Sequence, residues 1–164
     1  MKQLQIFEPA VRVAMPTDPV QKAAHYNGHP SGLECIVFAE KMTFNLGNAL
    51  KYVWRGGLKS EDATQDFEKA LWYVERSYHH DAYWLMGGQA AEDFRIFLAE
   101  DNRARRLMAR PSPWSEPIRF TVGGLLDLHA GRMISQRIEI YERLRDSLKL
   151  AICDEQGLGQ GLCP

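Results

Sequence analysis

Leu46, Ala49, Leu50 and Val53 recur at spacings of three and four, which lines up one buried face of an α-helix. Thr43 stands where a cap would start that helix, and the register carries it to about Arg55. Phe67, Ala70, Leu71, Val74 and Tyr78 repeat the pattern and predict a second long helix over 62–80. Between them, Gly56-Gly57-Leu58-Lys59-Ser60 breaks the helix, and Ser60-Glu61-Asp62 supplies a cap and an acidic first turn for the next. Upstream, Pro30-Ser31 opens a short helix in which Ser31 and Glu34 form a capping box and Leu33, Ile36 and Val37 the apolar stripe.

Downstream, 83–108 keeps a helical register interrupted at Gly87-Gly88, and Pro111-Ser112-Pro113 marks a boundary. The stretch 118–122 reads as a short strand. The stretch 131–154 reads as an amphipathic helix with Ile134, Ile138, Tyr141, Leu144, Leu148 and Ile152 on one face. The pattern thus predicts a mainly α fold, a helical hairpin core with additional C-terminal helices and one short strand. Its parts are an extended arm (1–24), a helical core (25–110) and a C-terminal helical extension with a flexible tail (111–164).

A second periodicity runs beside the first. Asn48, Lys51, Tyr52 and Arg55 share one face of the first long helix, and Asp66, Lys69, Tyr73, Arg76 and His80 share one face of the second. A packed core does not require cations interleaved with aromatics. Gly47 costs about 1 kcal/mol inside a helix relative to Ala, so a close approach by another backbone or a ligand is expected there.

Composition narrows the partners. The 164 residues are 45% hydrophobic and 25% charged, ordinary for one globular domain, and the formal charge of −1 argues against a general nucleic-acid binder. No apolar run reaches the roughly 18 residues needed to cross a bilayer, and residues 1–20 hold no signal-peptide stretch. Cys35, Cys153 and Cys163 are odd in number and share no Cys-x-x-Cys spacing, so neither a disulfide framework nor a cysteine zinc site is expected, and a reducing compartment fits. Adjacent His79 and His80 lack the helical spacing of a zinc pair.

No G-x-x-x-x-G-K-[ST] or G-x-G-x-x-G motif is present. The diglycine turn is foremost a helix connection, although its amides and Lys59 would also suit an anion. Lys51, Arg55, Lys69 and Arg76 fall on adjoining faces and suit phosphate oxygens. Asp66 is placed either for the site or for an ion pair with Lys69, and Glu34 either for the site or for the capping box. Trp54 and Trp72 read as core, whereas Tyr52 and Tyr73 are placed to stack on a ring. His25, flanked by Tyr26 and Asn27 ahead of a helix start, is the most conspicuous histidine.

The succession Asp18-Pro19-Val20, His25-Tyr26-Asn27, Gly32-Leu33-Glu34-Cys35-Ile36, Gly47-Asn48, Lys51-Tyr52, Trp54-Arg55, Asp66, Lys69-Ala70 and Tyr73 resembles a small bacteriophage family. That family was long known only as a domain of unknown function and is usually described as a nucleotide kinase without a P-loop. The resemblance spans about residues 18–78, with a longer link between Arg55 and Asp66 and no counterpart after Tyr78. It implies a mostly helical protein of the host cytoplasm that moves phosphate from a nucleoside triphosphate to a deoxynucleoside monophosphate. His25, Lys51, Arg55, Asp66 and Lys69 would then be catalytic, with Asn27, Glu34, Asn48, Tyr52, Lys59, Tyr73 and Arg76 binding substrate. Magnesium is the one cofactor this reading allows for. The alternative is a protein that sequesters a nucleotide without turnover. Short helices and the long apolar face of 131–154 point to a homo-oligomer.

Overall fold

The structure, a computed structural model, describes residues 29, 31–58, 62–81, 89–107, 116–130 and 134–158. They form α1 (Ile36–Ala39), α2 (Phe44–Arg55), α3 (Thr64–His80), α4 (Gln89–Glu100), α5 (Asn102–Leu107), α6 (Glu116–His129) and α7 (Ile134–Glu155). Among the described residues there is no strand, and the fold is mainly α as expected.

The long helices close into a ring. α2 packs on α3, α3 on α7, α7 on α6, and α6 back on α2, the arrangement of a four-helix bundle. Leu46, Ala49, Leu50 and Val53 meet Phe67, Ala70 and Val74 in one core with Val122, Leu125, Leu128, Tyr141, Leu144 and Leu148. α1 packs on α2, and α4 packs on α5. Phe97 of α4 meets Phe38 edge-on at 5.7 Å, and Phe94 meets His129 at 4.6 Å.

Local chemistry explains the hairpin that carries the candidate site. The Thr43 hydroxyl accepts from the Leu46 amide at 3.4 Å, the cap the sequence predicts. A Cβ at Gly47 would lie 2.8 Å from the Ala39 carbonyl oxygen, so the expected close approach is by the backbone of α1. After α2, Gly57 turns the chain at φ +76°, and a Cβ on Gly56 would collide with the Phe67 ring at 2.5 Å. α3 starts at Thr64, whose amide donates to Asp62 Oδ1 at 2.8 Å; Ser60, Glu61 and Lys59 lie outside the described residues.

Several expectations are corrected. The strand over 118–122 is helix, because Ile118, Thr121, Val122, Leu125 and Leu128 are buried together at helical spacing. No capping box opens the first helix. The Ser31 hydroxyl accepts from the Leu33 amide at 3.2 Å, Glu34 is exposed, and α1 begins only at Ile36 with no side-chain cap. On α7 the buried face is Arg137, Tyr141, Leu144, Leu148 and Ala151, while Ile138 is left 55% exposed. Trp54 is core, but Trp72 is 53% exposed. Cys35 is a buried free thiol pushed up to about 12 by burial. Cys153 is disulfide-bonded, which the cysteine spacing did not lead us to expect. No helix among the described residues is long and apolar enough to cross a membrane. The arm (1–24), the 111–113 boundary and the tail after 158 lie outside the described residues.

Candidate functional site

The polar stripes of α2 and α3 come together around one ring. Lys51 Nζ lies 4.5 Å from the centroid of Tyr52, the Arg55 guanidinium 4.6 Å and Lys69 Nζ 5.7 Å. Cations over a phenol face are each worth about 0.5–1 kcal/mol where solvent reaches them. Tyr52 itself stacks on Tyr73 of α3, with centroids 5.7 Å apart and planes 19° from parallel. Two tyrosines thus clamp the helices and collect three cations on one side of the hairpin.

The cations differ in how their charge is answered. Arg55 is buried and forks onto Asp66 across the turn, Nη2 to Oδ1 at 2.7 Å and Nε to Oδ2 at 3.0 Å. Lys51 instead donates to Asn48 Oδ1 at 2.7 Å, and Lys69 to Gln65 Oε1 at 2.8 Å. Neither lysine has a carboxylate ion-pair partner among the described residues. Lys51 is held below the usual lysine range, first by burial and then by Arg55, with Cys35 and Asp66 pulling the other way. An anion beside it would relieve both strains.

One exposed ring joins this group. Phe44, the first residue of α2, is 74% exposed and meets Tyr73 edge-on at 6.2 Å. It lies two turns, about 10 Å, along the helix from Lys51, with Asn48 between them donating to the Phe44 carbonyl at 2.8 Å. Sequence reasoning missed Phe44, although it stands four residues before Asn48 and eight before Tyr52 on the same stripe.

The predicted residues therefore divide. Asn48, Lys51, Tyr52, Arg55, Asp66, Lys69 and Tyr73 share one face, and Asp66 pairs with Arg55 rather than with Lys69. Arg76 belongs elsewhere: its guanidinium lies 5.3 Å over Trp72, in a groove between α3 and α7. Glu34 is exposed in the turn before α1. His25, Asn27 and Lys59 lie outside the described residues. Both Asp66 oxygens accept from Arg55, and no group of three or more His, Cys, Asp or Glu among the described residues could hold a metal ion by itself.

A buried polar knot anchors the start of α2. Asp81 accepts from the Thr43 hydroxyl and from Asn45 Nδ2, both at 2.8 Å, and the Thr43 amide donates to His129 Nδ1 at 3.4 Å. It ties the ends of α3 and α6 to the Phe44 end of the site. Its members are scattered over the sequence at no motif spacing, so pattern reading gave no signal for it.

No curated protein and no solved structure matches the chain. Residues 20–75, about a third of the chain, match the model of a family described as a protein of unknown function (DUF3310). That description names no activity, and nothing else found points to a phage nucleotide kinase family, so the kinship expected from the residue order is corrected: over α1, α2 and the first part of α3 the chain is similar to a family of unknown function.

Proposed function

We propose that the α2–α3 face binds a phosphorylated, ring-bearing small molecule, and a nucleotide is the class that fits it best. Phosphate would lie between the Lys51 and Lys69 ammoniums, and the ring against Phe44. The observation that carries this reading is the set of three cations around Tyr52, of which only Arg55 is answered by a carboxylate among the described residues. Lysine serves phosphate as a point charge, and an exposed ring beside it serves the base.

Binding without turnover is the form the geometry favours. Asp66, the carboxylate placed to orient a phosphate acceptor, has both oxygens committed to Arg55. Phosphoryl transfer from a nucleoside triphosphate to a deoxynucleoside monophosphate is the second reading. It draws on the same clustered cations, because such transfer needs chiefly placement and charge around the moving group.

Calorimetric titration of the folded chain with dTMP and with ATP tests the site, and product analysis of the same mixtures tests turnover. Wild-type binding that weakens about tenfold or more in Lys51→Ala and in Lys69→Ala is expected, the loss of one charge-assisted contact. Unchanged nucleotides after incubation favour sequestration, and new diphosphate lost in the same variants favours transfer. Equal affinity of wild type and both variants would remove the site.

A further inference from the structure

A second surface lies between α3 and α7. Trp72 (53% exposed), Tyr78 (45%) and Ile138 (55%) all line one groove of about 600 Å³, whose floor includes buried Tyr141. Three large apolar side chains left in solvent side by side mark a surface that is covered in the working protein. The rim carries Glu75, Arg76, Glu142 and Arg145, two carboxylates against two guanidiniums, with His79 and His80 beside them.

That balance selects the occupant. A nucleic acid or an anionic ligand would ask for a basic excess, whereas a two-fold contact between identical surfaces must offer both signs in equal measure. The chain's net charge of −1 leaves little repulsion between two copies. The helix register fits as well. Glu75 faces Arg145 at 3.8 Å, and Ser77 meets Tyr141 at 3.0 Å, so α3 and α7 run antiparallel through the groove. A two-fold axis over Tyr78 and Tyr141 would set Trp72 of one protomer against the Ile138 end of its partner.

We infer that this groove is the self-association surface of the protein and that a second copy of the chain covers it, Trp72, Tyr78 and Ile138 at its centre and the four charges at its rim. Sedimentation velocity of the full chain, from low to high micromolar, tests this. The expected species has twice the 18.7 kDa chain mass. Ile138→Asp and Trp72→Ala should weaken association about tenfold or more, with unchanged circular dichroism, while Phe120→Ser, at an exposed ring outside the groove, should leave it intact.

Charge reversal separates a second copy from any other partner. A chain with Glu75→Lys and Glu142→Lys has an all-basic rim, and one with Arg76→Glu and Arg145→Glu an all-acidic rim. Each alone should be monomeric, and a mixture of the two should form a heterodimer. A wild type that stays monomeric, a dimer that survives Ile138→Asp, or reversed chains that fail to pair when mixed would each overturn the inference.

Discussion

Arg55 and Asp66 illustrate what residue spacing conveys and what it leaves out. Asp66→Ala removes two charge-assisted hydrogen bonds from the buried Arg55 guanidinium, so it should cost about 1.5–3 kcal/mol, a large share of the stability of a domain this size. Urea unfolding measures it, and a loss below about 1 kcal/mol would mean that the pair is solvated after all. Tyr52→Leu should weaken nucleotide binding while Tyr52→Phe should not, because the lysines are gathered by the ring and not by the hydroxyl. The stripe of Asn48, Lys51, Tyr52 and Arg55, and that of Asp66, Lys69 and Tyr73, were legible because helical spacing alone decides which residues share a face. Partnership across the turn was not legible: spacing offered Lys69 to Asp66, and packing of the two helices supplied Arg55. Trp72 was misread for a related reason, since an aromatic residue on a helix does not say whether its neighbour is core or solvent.

At the scale of elements, close approaches and buried histidines decide stability. Gly47→Ala adds helix propensity worth about 1 kcal/mol, yet its Cβ would lie 2.8 Å from the Ala39 carbonyl oxygen. The net effect should be destabilisation, read as a lower melting temperature, and an unchanged or raised value would contradict the α1–α2 contact. The apolar stripe of α2 was read well, and that of α3 as far as Val74; beyond it Ser77 is buried and Tyr78 is left 45% exposed. The stretch 118–122 of α6 was misread as a strand because a short apolar run looks the same in either state until its flanks are counted. His29, buried against Trp54 at 4.9 Å, is pushed down to about 4 from the usual 6.5 by that burial. His129 is also lowered, by burial first, with the Lys41 backbone and Asp81 opposing. Both histidines are thus neutral when folded and take up protons on unfolding, so stability is fullest above pH 6.5 and falls as pH drops towards 4. The His29 share is no more than about 3 kcal/mol. Denaturation midpoints across that range should decline on the acid side, and His29→Gln should flatten the slope; a midpoint that rises on acidification would contradict both burials.

For the whole molecule, the hairpin read from sequence is one half of a bundle whose other half is α6 and α7. Neither hairpin can bury its apolar faces alone, and nothing in the local pattern of either one states which it will close upon. In the closed bundle α3 packs on α2 so that two lysines stand around one tyrosine, neither paired with a carboxylate among the described residues. Nucleotide binding should therefore weaken with salt, since it draws on exposed charge. The most direct test of this account is a 1H–15N NMR titration of the full chain with dTMP and with ATP, following backbone amides and the lysine and aromatic side chains. Shifts should concentrate at Phe44, Asn48, Lys51, Tyr52, Lys69 and Tyr73 and should grow with the number of phosphates. Shifts confined to other surfaces, or none at millimolar nucleotide, would contradict it.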